Sequence, residues 1–234
     1  MPRASLTSLD ASLDGVRKVL AELAAESLRV PVNVTFFARR AVILSSLIVT
    51  LSGYFESFLR DFAKEFADEL SVKQVPFENL HQKIRKTHFL NAAKVLTEAV
   101  KKSPRRRSQA TPIDIVERLA SVKHATYSLL WESFAETQSN PGSRAVKRYL
   151  KSMSVDGGFT KLATLISVIN PNQPASANAL ISSLDALIAR RNECAHTGTV
   201  AHAMSEADVE LYCALLSQLA KGIAAAVEDV IVAA

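Results

Sequence analysis

The segment Leu180-Ile181-Ser182-Ser183-Leu184-Asp185-Ala186-Leu187-Ile188-Ala189 places its leucines and isoleucines mostly at three- and four-residue steps, the spacing of an amphipathic helix. It leads through Arg190 into Arg191-Asn192-Glu193-Cys194-Ala195-His196, hereafter the motif, and then into Thr197-Gly198. A glycine after the last apolar turn is typical of a helix C-cap. The sequence therefore predicts a helix over 175–196 that carries a cation and an imidazole at its C-terminal end.

Arg191 and His196 bring together two groups suited to phosphodiester chemistry. A guanidinium binds phosphate oxygens through two parallel hydrogen bonds, and an imidazole transfers protons near neutral pH. Five residues correspond to about 140° around a helix and about 7.5 Å along it. The two side chains can therefore serve one phosphate only if the last turn unwinds or if a second chain supplies another motif.

A structural role for the same residues has to be weighed beside the catalytic one. Basic side chains in the last turn of a helix interact favourably with the helix dipole, and Gly198 suits the left-handed cap that follows. The spacing alone is more typical of this capping role than of catalysis.

The motif resembles a known signature. Arg-Asn, three further residues and His, after an apolar helix, are similar to the R-x4-6-H signature of HEPN-domain ribonucleases. Arg191, rather than Arg190, matches the signature arginine because Asn192 follows it. The segment Ser52 to Phe62 is also similar to the acid-bearing helix of HEPN proteins of the RiboL-PSP kind, with Glu56 as the matching acid.

This resemblance implies an all-α, HEPN-like helical bundle with additional helices, acting as a metal-independent endoribonuclease without a cofactor. The 2′-OH of RNA would be the nucleophile, and the products would carry a 2′,3′-cyclic phosphate and a 5′-OH. His196 would act as general base or acid, and Arg191 would stabilise charge on the phosphate. Asn192 would orient the phosphate or the imidazole. Glu56 would fix the ring tautomer or hold Arg191.

The resemblance further implies a homodimer in which two motifs face one cleft, and RNA as the partner. A toxin or phage-defence setting would add an antitoxin or another defence-system partner. One departure favours an alternative function: some HEPN toxins carry a tyrosine two residues after the histidine, where this chain has Gly198. The alternative is a catalytically silent HEPN-like module that binds RNA, nucleotide or a partner protein.

The charge of the chain is unevenly distributed. Lysine and arginine number 28 against 23 acidic residues, and five of these cations lie within residues 101–107. Such a cluster attracts anionic partners at long range. Arg105, Arg106, Arg107 and the motif-adjacent Arg190 are therefore predicted to bind RNA, the alternative being a solvated loop without function.

Breaks at proline, glycine and asparagine divide the chain into helical segments. We predict a single domain over 1–234 with a basic internal linker at 101–110. Capping signals at Thr111 and Ser205 mark two of the helix starts. The predicted helices are 5–28, 34–71, 77–101, 111–137, 143–152, 158–169, 175–196 and 205–232.

Three of the remaining histidines lie on these predicted helices. His81 and His88 are seven residues apart, and we predict that both belong to a solvated basic face rather than to an RNA groove. His124 is predicted to be a partly buried structural histidine within the helix over 111–137.

Cysteine usage and hydropathy predict a cytoplasmic protein. Cys194 and Cys213 form no disulfide framework, and Cys194 is read as a small apolar residue that faces the bundle. No ligand spacing typical of a metal site is present. The apolar run from Ala41 to Phe55 is too short for a membrane span and predicts a core helix. The first six residues lack the apolar stretch of a signal peptide.

Overall fold

The computed structural model describes residues 3–27, 34–73, 75–101, 110–124, 126–135, 141–197 and 204–233. Within these ranges every regular element is a helix and no strand occurs. The predicted all-α fold is therefore confirmed. Two short 3-10 segments occur at Phe77–Asn79 and Trp131–Ser133. The α-helices are α1 (Ala4–Ser27), α2 (Val34–Val72), α3 (Gln82–Val100), α4 (Pro112–Ser121), α5 (Ser143–Ser152), α6 (Gly158–Ile169), α7 (Ala177–Thr197) and α8 (Glu206–Val232).

Helix α2 is the centre of the bundle. Its apolar side chains recur at three- and four-residue steps and pack against α1, α7 and α8. Helix α1 runs antiparallel to it, so the start of α1 lies beside the second half of α2. There Glu65 accepts hydrogen bonds of 2.7 Å from both the backbone N–H and the hydroxyl of Ser5. This carboxylate binds an amide that the first turn of α1 leaves without an intrahelical partner.

Helix α8 runs beside α2 in the same direction. Near their N-termini Arg40 pairs with Glu206, and near their C-termini the Lys73 ammonium donates to the carbonyl of Ile231. On its other side α8 packs against α6 at Gly222, where an added Cβ would lie 2.9 Å from the Ile166 Cγ1. Glycine is therefore required at this position for the two helices to approach so closely.

Side chains of α2 and α7 fix the position of the short helix α5. The Tyr149 hydroxyl donates a 2.7 Å hydrogen bond to the carbonyl of Leu59 in α2. At the other end Asp185 of α7 accepts hydrogen bonds of 2.8 and 2.7 Å from the backbone N–H and hydroxyl of Ser143. One core cluster includes side chains from α1, α2 and α5 to α8, and a smaller cluster lies between α3 and α4.

The predicted helix over 111–137 is wrong in its second half. It begins with the predicted capping box of Thr111 and Asp114 but ends at Ser121. The Ser121 hydroxyl donates to the Arg118 carbonyl at 2.7 Å and accepts from the Ser128 N–H at 3.2 Å, which binds the departing chain back to the helix end. The later apolar residues reach the core from a segment that contains no α-helix; they are Tyr127, Leu129, Leu130 and Phe134.

Side chains of other helices satisfy the backbone of this segment. The Leu129 N–H donates to the Ser71 hydroxyl at 3.1 Å, and the Leu130 N–H donates to the His88 Nδ1 at 3.3 Å. His88 is fully buried, so its predicted place on a solvated face is wrong. Burial lowers the pKa of His88 to about 4, so the imidazole is neutral at physiological pH.

Two further histidines, His81 and His124, are both exposed. His81 is exposed and caps α3, because its Nδ1 accepts from the Lys83 N–H at 3.2 Å. His124 was predicted to be partly buried within a helix, and this is wrong: it is exposed in the turn after α4. The early end of α4 explains that difference.

By length and composition the apolar helix α2 also meets the criteria of a membrane span. Of an 18-residue stretch that meets them, 33% is buried in the bundle. Core helices of soluble proteins pass the same criteria, so a single helix of this kind is weak evidence for a membrane protein. Its packing against three other helices is what the sequence predicted for a core helix.

Candidate active site at the end of helix α7

Helix α7 stays helical through the motif and ends at Thr197. Arg191 continues the inward-facing stripe that Leu184, Leu187 and Cys194 form at three- and four-residue steps, and it is half-buried. His196 lies on the opposite side of the same turns and is exposed. The last turn is therefore not unwound, and the separation of about 140° between the two side chains persists.

Asn192 orients the guanidinium of Arg191. The Nη1 of Arg191 donates a 3.3 Å hydrogen bond to the Asn192 Oδ1, and both residues are half-buried. This hydrogen bond takes up one of the five N–H donors of the guanidinium. The predicted action of Asn192 on the phosphate or on the imidazole stays a prediction.

Arg190 is directed toward the start of α8. Its guanidinium carbon lies 5.9 Å from the centre of the Tyr212 ring, which is within cation–π range. Burial raises the pKa of Tyr212, so the tyrosine hydroxyl beneath Arg190 is neutral. Arg190 and Arg191 thus contact different neighbours although they adjoin in sequence.

An ion pair between the start of α2 and the start of α8 could not be recognised from the sequence. Arg40 donates from Nε to Glu206 Oε1 at 2.6 Å and from Nη2 to the other carboxylate oxygen, a two-pronged pairing. The hydrogen bond to Glu206 raises the pKa of Arg40, and the same bond lowers the pKa of Glu206. Both side chains are half-buried, and they join the first half of α2 to the first turn of α8.

The predicted capping box at the start of α8 is confirmed. The Asp208 N–H donates to the Ser205 hydroxyl at 3.2 Å, and Asp208 accepts from the Ser205 N–H at 2.9 Å. The hydrogen bond from the Ser205 backbone lowers the pKa of Asp208. This cap fixes the point at which the chain re-enters the bundle after the motif.

Glu56 lies further along α2 than the Arg40 pair. It follows Arg40 by more than four helical turns, a distance of about 24 Å along the axis. It is half-buried, and within the described chain no hydrogen bond or ion pair joins it to Arg191. Its predicted action on Arg191 or on the His196 ring stays a prediction.

A comparison with protein families decides the identity of the bundle. The model described as RiboL-PSP-HEPN matches residues 19–229. The chain belongs to this HEPN family. The match spans most of the chain and includes Glu56 and the whole motif. Comparison with curated proteins gives no significant match, and comparison with solved structures gives none either.

Several predicted residues of the HEPN chain lie outside the described residues. They are Arg105, Arg106 and Arg107 of the basic linker, and Gly198 after the motif. Their RNA-binding and capping functions stay predictions.

The two cysteines of the HEPN bundle are both buried. Cys194 is buried and faces the core, as predicted, although it lies within the motif. Cys213 is also buried, and burial raises its thiol pKa to about 11, which keeps it protonated and unreactive. Within the described ranges no three His, Cys, Asp or Glu side chains are grouped to hold a metal ion.

A cavity of about 440 Å³ lies at the end of the HEPN bundle opposite the motif. Its lining includes Ser154, whose φ of 63° is the left-handed conformation, and whose hydroxyl lies 2.9 Å from the His81 Nδ1. Asp229 of α8 also lines it, more than twenty residues after the start of that helix. The cavity is therefore remote from Arg191 and His196.

Proposed function

We propose that this HEPN chain is a metal-independent endoribonuclease. The observation that carries the proposal is the end of α7, where an asparagine-bound, half-buried Arg191 and an exposed His196 stand in a chain of the HEPN family. The arginine supplies a fixed cation for the phosphate, and the histidine supplies a group that transfers protons near neutral pH.

The proposed reaction uses the 2′-OH of the RNA as its nucleophile. His196 takes the proton from this hydroxyl as the O2′–P bond forms. The P–O5′ bond breaks as an imidazolium donates a proton to the leaving 5′ oxygen. Arg191 stabilises the negative charge that grows on the non-bridging oxygens, and Asn192 keeps its guanidinium in place. The products carry a 2′,3′-cyclic phosphate and a 5′-OH.

A homodimer with a shared cleft is part of this proposal. Because α7 stays helical, Arg191 and His196 of one chain lie on different sides of one helix. A two-fold axis beside α7 would bring an arginine from one chain to the histidine of the other. In this arrangement the two neighbouring arginines would repel each other, and a phosphate of the RNA or Glu56 would offset their charge.

Further cations are proposed to hold the RNA around the cleft. Arg190 lies on the Tyr212 ring next to the motif. Arg105, Arg106 and Arg107 add charge from the linker, and their contribution is electrostatic rather than sequence-specific. We place the activity in the cytoplasm, in a toxin or phage-defence system that includes an antitoxin or another regulatory protein.

Cleavage is expected to persist in excess EDTA, because the nucleophile belongs to the RNA and the proposed acid and base belong to the chain. The measurement is the rate of cleavage of a labelled single-stranded RNA with and without the chelator. A metal-dependent ribonuclease assayed in the same buffer is the control. Loss of cleavage on chelation, with recovery on adding Mg²⁺ or Mn²⁺, would contradict the mechanism.

The alternative function is a HEPN module that binds RNA, nucleotide or a partner protein without cleaving it. Gly198, in place of the tyrosine found in some HEPN toxins, is the observation that favours it. A chain that binds RNA and leaves it intact, with or without divalent cations, would support this alternative.

A further inference from the structure

We propose that the outward face of α3 is a second RNA-contacting surface, remote from the motif, which binds a single-stranded segment by base stacking and phosphate contacts. Its central residues are Arg85, Lys86 and Phe89, hereafter the α3 platform. The proposal extends the assignment of RNA as the partner, but it concerns binding and does not depend on cleavage.

Phe89 provides an exposed aromatic ring whose orientation is fixed from behind. The side chain is 46% exposed although it is large and apolar. Its ring is packed edge-to-face against Phe77, with centroids 5.5 Å apart, and against the His88 ring at 5.4 Å. His88 is itself buried and bound to the Leu130 N–H, so this support is rigid. A fixed, accessible ring is the element on which an unpaired base stacks.

Arg85 provides a cation for which the described part of the chain supplies no carboxylate partner. Its Nε is buried and has no hydrogen-bond partner within the described chain, and no carboxylate there pairs with the guanidinium. Buried polar groups without partners are rare, and such a group commonly marks the position of a water or an ion. Arg85 precedes Phe89 by four residues, so both side chains lie on one side of the helix.

Lys86 adds a second positive charge to the α3 platform. Lys86 precedes Phe89 by three residues and is exposed. The acidic residue of α3, Glu98, lies about 13 Å further along the helix than Phe89. A phosphate next to Arg85 and Lys86 would therefore meet two cations and no carboxylate of this helix.

An exposed aromatic ring beside two cations favours single-stranded RNA over other anionic partners. Stacking requires a base whose face is accessible, and a duplex buries its base faces within the helix. The spacing of about 6 Å between side chains one turn apart lets a phosphate and an adjacent base be held together. Binding is therefore expected to depend both on the aromatic ring and on salt concentration.

The test for stacking uses a fluorescent twelve-nucleotide oligouridylate and chains that carry His196→Ala, so that the RNA stays intact. Phe89→Leu, which keeps an apolar side chain but removes the π face, should weaken binding about tenfold. Phe89→Tyr should bind like the parent chain. Leu90→Ala is the matched control, because Leu90 is 59% exposed on the same helix and offers no ring.

The test for phosphate contact is the salt dependence of the same binding. Arg85→Gln should reduce the slope of log affinity against log salt by about 0.7, the value expected for one single-stranded phosphate contact. Lys64→Gln, a neutralised exposed cation on α2, is the control and should leave the slope unchanged. Thermal unfolding of each variant establishes that the bundle is intact.

Equal affinity of Phe89→Leu and Phe89→Tyr for the RNA would overturn the proposal. So would an equal dependence on Phe89 for duplex RNA or for phosphatidylserine vesicles, because neither offers a base to stack. The assay measures binding alone. Failure of the wild-type chain to cleave RNA would therefore count against the proposed activity and not against the α3 platform.

Discussion

Replacing His196 by alanine is expected to abolish RNA cleavage and to leave the bundle folded. In the proposed mechanism the imidazole transfers protons at both the nucleophile and the leaving group. General acid–base catalysis contributes about 10²- to 10⁴-fold to a rate, and a dimer of the variant would lose both imidazoles. The side chain is exposed at the end of α7, so its truncation should change the free energy of unfolding by less than about 1 kcal/mol.

The measurement pairs initial cleavage rates with thermal unfolding for both proteins. His124→Ala is the matched control, because this histidine is also exposed but lies in the turn after α4. It should cleave RNA at the wild-type rate. A folded His196→Ala chain with undiminished cleavage would remove the histidine from the mechanism, and so would equal losses in the two variants.

Mixing Arg191→Ala chains with His196→Ala chains is expected to restore cleavage that neither variant has alone. If each phosphate is served by an arginine of one chain and a histidine of the other, a mixed dimer retains one intact pair. Random exchange makes half of the dimers mixed, so the activity should approach about a quarter of the wild-type value. If both groups came from one chain, no mixed dimer would contain an intact pair.

Two affinity tags, one on each variant, allow the mixed dimer to be purified before it is assayed. Each variant exchanged with itself under the same conditions provides the background rate. Purified mixed dimers without cleavage would contradict the composite site. A wild-type chain that sediments as a monomer at micromolar concentration and still cleaves RNA would contradict it as well.

The helix boundaries could be predicted where the chain carries local stop and start signals. Glycine and proline around 141–142, 157–158 and 171–174 separate α5, α6 and α7, and these helices lie within two residues of the predictions. The prediction failed at the end of α4, where no glycine or proline marks the stop. There the decisive contacts are long-range: the amides of Leu129 and Leu130 bind Ser71 of α2 and His88 of α3.

The same difference between local and long-range contacts separates the motif, which could be predicted from the sequence, from the Arg40–Glu206 pair, which could not. Arg191, Asn192 and His196 are close in sequence, so a single sequence is enough to recognise their spacing and their resemblance to the family signature. The pair of Arg40 and Glu206 joins residues 166 positions apart, and nothing local in either segment indicates its partner. His88 was misplaced because Arg85 and other cations nearby suggested a basic face, although it follows the buried Ile84 by one helical turn.

The chemical identity of the cleaved ends is the most direct measurement of the central claim. A synthetic RNA is incubated with the wild-type chain in excess EDTA, and the fragments are analysed by mass spectrometry. We expect 2′,3′-cyclic phosphate and 5′-OH ends, and no cleavage when the nucleotide before the scissile bond carries a 2′-O-methyl group. Fragments with 3′-OH and 5′-phosphate ends, or cleavage of the methylated RNA at that bond, would contradict attack by the 2′-OH.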